Sequence, residues 1–353
     1  MVRIDIPKNS KIIKKYPRIL NALRLKIRRG QYTGMLPGVQ QLARDFDVNF
    51  MTVNKAINML VDENMLYRIP NTGTFVKRTY RIALVFLSRK ENRSQRRHTV
   101  YDDLIHGVEE ALGEKGMTMV FKNIDPESEL PSLKNMKNES DGLIILGDAK
   151  NSKANKIING FPVVRVMDAI DENDTCDHVT FNNYSIGRLA AEHMLRKGHM
   201  KCAFACTNAR QLLLDRGKAF SETLTKAGGK TSMIIPEIPN IANGLKIDAI
   251  AGQLDRMLNE KPMPSGLFIP ATWMAGSIYS FLNSRGVVPG KDIEIVTCDK
   301  EFMELSKLIP LPAYVDIHAD LVGRKAVEIL NQRIEFPGSP RKKILLEPDL
   351  VLS

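Results

Sequence analysis

Tryptophan occurs once in this chain, cysteine four times and histidine six times, and no run approaches the roughly 20 apolar residues that cross a bilayer. The chain begins polar and basic, with Lys8, Lys11, Lys14 and Lys15, and has no apolar segment behind them to serve as an export signal. A cytoplasmic protein with no membrane partner is therefore expected. Cys176, Cys202, Cys206 and Cys298 lie far apart except for one C-x-x-x-C. Its surroundings, Lys-Cys-Ala-Phe-Ala-Cys, alternate like a buried strand, so the sulfurs read as core thiols; no His or Cys cluster offers a metal a tetrahedral set. His98, His106, His178, His193, His199 and His318 are scattered, and neither G-x-S-x-G nor a P-loop occurs. An enzyme on an α/β scaffold remains a rival class, but no catalytic constellation and no cofactor is expected. The other rival, a transport binding protein, would carry an export signal.

Charge is plentiful and unevenly placed. Residues 1–79 hold 15 Lys and Arg against 5 Asp and Glu, so +10 of the net +11 sits in less than a quarter of the chain. A small basic unit joined to a large neutral one points to nucleic acid, because clustered cations displace the counterions of phosphates. A merely solvated charged surface is the alternative.

Within the basic unit, Ile19, Leu20, Leu23 and Ile27 recur at helical spacing between about Tyr16 and Arg29, and Gly30 ends the helix. Val39, Leu42, Ala43 and Phe46 repeat the pattern after Pro37-Gly38. A third helix follows within three residues, capped by Asn49 and buried through Val53, Ala56, Ile57 and Leu60 up to Glu63. Two short helices so tightly joined form a helix-turn-helix. With the inner stripe assigned, Phe50, Met51, Asn54, Lys55 and Asn58 point outward and Thr52 lies near the helix start. That is the face for a major groove, where Phe50 and Met51 would meet thymine methyls and Asn54 or Asn58 would pair with adenine. Packing against another domain is the alternative use of this face. Leu66–Ile69 and Thr74–Lys77 then read as two strands around Pro70-Asn71-Thr72-Gly73, a hairpin wing. Arg68, Lys77 and Arg78 would lie beside phosphates, and Gly73 lets the turn approach a backbone closely.

This order, with Leu36-Pro37-Gly38-Val39-Gln40-Gln41-Leu42-Ala43, Thr52-Val53-Asn54-Lys55-Ala56 and Asn71-Thr72-Gly73-Thr74-Phe75-Val76, resembles the GntR-type winged helix over about residues 13–77. The resemblance implies a double-stranded DNA operator as partner. It adds Gln40, Asn49, Thr72 and Gly73 to the contact set of Phe50, Met51, Thr52, Asn54, Lys55, Asn58 and Arg68. Where that family commonly has arginines, this chain has Gln40, Phe50 and Asn54.

After a linker at residues 78–81, short apolar runs alternate with helical patterns. Ile82–Leu87, Met117–Lys122, Leu143–Leu146 and Val163–Met167 read as strands, and Tyr101–Lys115 as a helix with Leu104, Val108, Ala111 and Leu112 inward. The pattern restarts after Val179-Thr180-Phe181-Asn182-Asn183. Ser185–Lys197, Gly217–Ala227 and Met274–Arg285 read as helices; Cys202–Cys206, Leu267–Ile269 and Ile293–Cys298 read as strands. Runs of this kind indicate parallel sheets covered on both faces, and two sheets are expected, with a ligand held beyond their strand C-termini.

The region from about residue 81 to 353 is similar to the LacI/GalR effector domain. The likeness rests on Gly187-Arg188-Leu189-Ala190-Ala191-Glu192-His193, Lys197-Gly198-His199, Arg216 with Phe220, Val288-Pro289-Gly290-Lys291-Asp292-Ile293 before Thr297-Cys298-Asp299, Gly323-Arg324-Lys325-Ala326 and Leu346-Glu347-Pro348. The order of the two modules resembles arabinose-type repressors. What this implies is an α/β, periplasmic-binding-protein-like domain of two parallel-sheet lobes, the first of about residues 82–180 and 317–340, the second of about 181–316 and 341–353. It also implies a small-molecule effector, a sugar, and a homodimer.

In that family the arginine and aspartate at the positions of Arg216 and Asp299 hydrogen-bond ligand hydroxyls; a purely structural salt bridge is the other reading of the pair. The family's Asn-Asp pair is replaced by Ala271-Thr272, directly followed by Trp273, which either stacks on a ligand or sits in the core. Tyr101 completes the expected ligand set of Tyr101, Arg216, Trp273 and Asp299. The loop 88–99 carries five Lys and Arg and one Glu. It is either solvated or closes over an anionic ligand.

Overall fold

The computed structural model describes residues 15–28, 31–32, 34–63, 65–77, 79–88, 99–147, 152–168, 170, 174–237 and 247–353. The chain divides into two compact units, Met1–Tyr80 and Arg81–Ser353.

The first unit holds three helices, α1 (Lys15–Arg28), α2 (Val39–Asp45) and α3 (Phe50–Asp62), and a hairpin of β1 (Leu66–Ile69) and β2 (Gly73–Val76). The stripe of α3 buries Val53, Ala56, Ile57 and Leu60 against Ile19, Leu20 and Leu23 of α1 and Leu42 of α2. Asn49 caps α3, its side chain accepting from the Met51 N–H at 2.8 Å. The turn before it passes through Asp47 in the left-handed region, φ 51°, a conformation that a short polar side chain tolerates. In the hairpin Tyr67 stacks on Phe75 at 5.6 Å, and Gly73, expected in the turn, is the first residue of β2.

The second unit contains two six-stranded sheets. The first has the order β13-β7-β6-β5-β3-β4, all parallel: β3 (Arg81–Leu87), β4 (Thr118–Ile124), β5 (Gly142–Leu146), β6 (Val163–Val166), β7 (Asp177–Phe181) and β13 (Lys343–Leu346). The helices of this lobe are α4 (Thr99–Glu114), α5 (Leu130–Glu139), α6 (Ser152–Ile158) and α12 (Ala319–Glu335). The second sheet has the order β14-β12-β11-β10-β8-β9: β8 (Lys201–Ala205), β9 (Lys230–Ile234), β10 (Gly266–Ile269), β11 (Glu294–Cys298), β12 (Ala313–Asp316) and β14 (Asp349–Val351), with only β14 antiparallel. Its helices are α7 (Asn183–Arg196), α8 (Gln211–Lys226), α9 (Asp248–Leu258), α10 (Thr272–Ser284) and the short α11 (Phe302–Leu305).

Two expected boundaries move. Arg81 is not linker but the first residue of β3, tied through its N–H to the Asp141 carboxylate at 2.9 Å. The closing segment does not belong to one lobe: β13 pairs with β7 in the first sheet, and β14, two residues later, pairs with β12 in the second. The reason is a buried clamp. Asp177 at the head of β7 accepts from Arg333 Nε and Nη2 of α12 at 2.8 and 2.9 Å and from the Lys342 N–H at 2.7 Å, drawing residues 341–346 onto the first sheet.

Helix pairs pack at close range where glycines remove side chains. A Cβ on Gly323 of α12 would lie 2.4 Å from the Leu104 carbonyl oxygen of α4, and one on Gly107 would lie 2.0 Å from that of Asp320.

Candidate functional site

Each unit carries its own set of candidate residues. On α3, Phe50, Met51, Lys55 and Asn58 are exposed and Thr52 and Asn54 half-buried, while Gln40 and Asn49 are also exposed. Phe50 and Met51 are 53% and 67% exposed, a poor use of apolar surface for a helix that already buries its other face. Arg68 of β1 donates to Asn58 Oδ1 at 2.6 Å, so the wing is fastened to α3 through a side chain from each. Thr72 and Gly73 are exposed at the hairpin tip. The Asn49 carbonyl oxygen is committed to its cap, leaving its amide as a donor. Arg78 lies outside the described residues.

In the second unit the structure brings Arg216 and Asp299 together. Arg216 sits in the second turn of α8 and is 3% exposed. Its Nε donates to Asn183 Oδ1 at 2.9 Å; its Nη1 donates to the Pro270 carbonyl and lies 3.4 Å from Asp299 Oδ1 and 3.1 Å from Cys298 Sγ. The guanidinium carbon stands 5.2 Å over the ring of Phe181, on a strand of the first lobe. Burial opposes its charge, but the neighbouring Cys298 and Asp299 together outweigh the penalty and hold the guanidinium above its ordinary value. Burial also pushes the Cys298 thiol well above its ordinary value and Cys206 up to about 12, so both are neutral sulfurs beside the cation. All four cysteines are buried.

Asp299 follows β11 in the left-handed region, φ 79°, which costs a non-glycine residue of order 1 kcal/mol and turns its carboxylate toward Arg216. Sequence reasoning missed what holds it there. Thr272, fully buried at the head of α10, places its hydroxyl 2.7 Å from the Cys298 carbonyl oxygen and 2.8 Å from that of Asp299. The departure from the family's Asn-Asp pair thus supplies a backbone anchor and not a group facing the ligand. Trp273, next on the helix, is half-buried. Tyr101 on α4 packs edge-on against Phe86 at 5.6 Å. The bonds described for the pair run through Arg216 Nε and Nη1 and through Asp299 Oδ1. Residues 89–98 of the basic loop lie outside the described residues.

A winged helix with its reading face exposed, joined to a two-lobed α/β domain with a buried polar pair, defines the class: a DNA-binding transcriptional regulator with an effector domain. Residues 15–76 match bacterial regulatory proteins of the gntR family, and residues 191–352 match the periplasmic binding protein-like domain. The chain therefore unites a gntR-family DNA-binding domain with a periplasmic binding protein-like effector domain. It is 24% identical over 265 residues to the ribose operon repressor of Escherichia coli strain K12, covering 71% of this chain and 76% of that one. It is 26% identical over 187 residues to the arabinose metabolism transcriptional repressor of Geobacillus stearothermophilus, covering 48% and 49%. In fold it is similar to a transcriptional regulator CelR–cellobiose complex, with a TM-score of 0.65 at 19% identity over 90% of this chain and 99% of that one. No helix among the described residues is long and apolar enough to cross a membrane.

Proposed function

We propose that this protein is a cytoplasmic, homodimeric repressor that binds double-stranded operator DNA through α3 and the wing, and leaves it when a sugar or sugar derivative enters between the lobes of the effector domain. The observation that carries the reading is the buried Arg216–Asp299 pair, a guanidinium fork beside a carboxylate, the kind of donor and acceptor set that adjacent sugar hydroxyls satisfy. The ribose and arabinose repressors among the relatives support the ligand class. Trp273 and Tyr101 are proposed as apolar faces for the ring, and Gln40, Asn49, Phe50, Met51, Thr52, Asn54, Lys55, Asn58, Arg68, Thr72 and Gly73 as the DNA contacts.

Ligand and operator are linked: a ligand that prefers one lobe arrangement weakens DNA binding by the factor by which DNA weakens the ligand. Paired half-sites call for a two-fold dimer. Phe302, Met303, Ile309 and Leu311, 72, 59, 83 and 45% exposed within ten residues, are the surface we assign to it. No step requires catalysis.

The test begins with duplexes selected from a random pool by the full-length protein. Binding of the selected site is then followed by fluorescence anisotropy across pentoses, hexoses, sugar acids and sugar phosphates. One of these is expected to release the DNA, and Arg216→Ala to abolish the release. A compound outside these classes that tightens DNA binding would replace induction by sugar with corepression.

A further inference from the structure

Arg165 breaks the apolar run of β6, Val163-Val164-Arg165-Val166, and is 1% exposed. Its Nε lies 2.6 Å from Asp174 Oδ2, a carboxylate also 3.1 Å from His178 Nε2, and its Nη2 donates to Asn155 of α6. Its Nη1 is buried and has no hydrogen-bond partner. A buried charged N–H without an acceptor is costly, so its persistence calls for an acceptor in the space beside it, a water or an anionic ligand.

Arg165 lines a cavity of about 170 Å³, the room of roughly five waters. Two guanidiniums, Arg165 and Arg341, line it against one carboxylate, Asp174, with the amide of Asn155 and the hydroxyl of Thr175 beside them. Arg341 is 3.6 Å from Asp177, but that carboxylate already holds Arg333 with both oxygens. The lining thus has donors in excess and one positive charge in excess. It also lies away from the effector pair. Apart from Arg165 within β6, its wall is built from residues that precede β6, β7 and β13, at the strand N-termini of the first lobe, whereas Asp299 follows a strand C-terminus in the second.

We propose that this cavity is a second ligand site, for a small oxyanion such as inorganic phosphate or a short carboxylate, bound by Arg165 Nη1 and Arg341. It gives the regulator a chemical input separate from the effector pair. Charge-assisted bonds to a guanidinium buried in a strand favour an anion over a neutral hydroxyl compound.

The test uses isothermal titration of the full-length protein with inorganic phosphate, acetate and pyruvate, against chloride at equal ionic strength. Saturable binding of phosphate or of a carboxylate is expected, and which of the two binds assigns the source. Asn155→Asp keeps the acceptor for Arg165 and adds a neutralising charge, so it should weaken binding at least tenfold; Arg341→Gln, at a partly exposed position, should weaken it severalfold. Arg216→Ala should leave it unchanged, which separates this site from the effector pair. Absence of saturable binding overturns the proposal, as does binding lost in Arg216→Ala but kept in Asn155→Asp. Thermal melts of each variant confirm that the cavity compared is that of a folded protein.

Discussion

Gly187 on α7 stands so close to Arg216 on α8 that a Cβ added to it would lie 2.0 Å from the arginine's carbonyl oxygen. The helix that carries Arg216 is therefore seated directly on a backbone with no side chain between. Gly187→Ala must push α8 outward, with an expected loss of about 1–3 kcal/mol of stability and a weaker sugar response. Gly252→Ala, on α9 with nothing within 4 Å of the new methyl, should instead stabilise by about 0.5–1 kcal/mol. Denaturant melts of both variants check the contrast, and equal effects would contradict it.

Thr272 offers a subtler disturbance. Thr272→Val keeps the shape and removes the hydroxyl that meets the carbonyls of Cys298 and Asp299. A loss of about 1–3 kcal/mol is expected from the carbonyls left without that donor. Effector affinity should fall further than stability alone predicts, because Asp299 is then freed from its left-handed turn. A variant that binds effector normally would rule out this anchoring role.

On the DNA side, charge and recognition should separate. Lys55→Ala should lower affinity for all sequences and reduce the slope of log affinity against log salt by about 0.9, if the lysine meets one phosphate. Asn54→Ala should cost about 1–3 kcal/mol on the selected site, relax discrimination at one base pair and leave the salt slope unchanged. Anisotropy titrations at several salt concentrations distinguish the two.

Acid should act through Glu294. Burial would raise its carboxyl, but hydrogen bonds from Lys197 and His193, at 2.7 and 3.2 Å, outweigh burial and hold it below its ordinary value of 4.5. A folded value below the unfolded one means that the stabilisation is complete above about pH 4.5 and is lost as pH falls through the folded value. Glu294→Gln should therefore melt below the native protein at pH 7, with the gap closing on acidification. A gap constant with pH would show that the carboxylate contributes no linkage.

Periodicity made the winged helix legible almost to the residue. The stripe Val53, Ala56, Ile57, Leu60 has one helical reading, and the buried set on α3 is that stripe. The start of α8 was not legible. Gly217 reads as a helix boundary, yet it lies mid-helix because a Cβ there would meet the Phe204 ring at 2.7 Å. Glycine for close packing and glycine for a turn look alike in one dimension. α5, α6, α9 and β9 leave little trace in the sequence, being shorter or more polar than the runs beside them. Arg216 and Asp299 could be named from the motifs around them, whereas Thr272 could not, because its partners are backbone carbonyls 26 and 27 residues away. Arg165 did leave a signal, a charge inside an apolar strand, and only the structure gives it a cavity.

The separation of β13 and β14 by two residues sets the order in which this protein matures on the ribosome. Each sheet takes an outer strand from residues 343–351, so neither lobe can be completed until that stretch has been synthesised, while the winged helix has every strand it needs by Val76. The reading head is thus expected to fold first and the sensor last, as domains folding in sequence during synthesis do. A nascent or prematurely terminated chain would carry a finished DNA-binding domain with no working means of being told to let go.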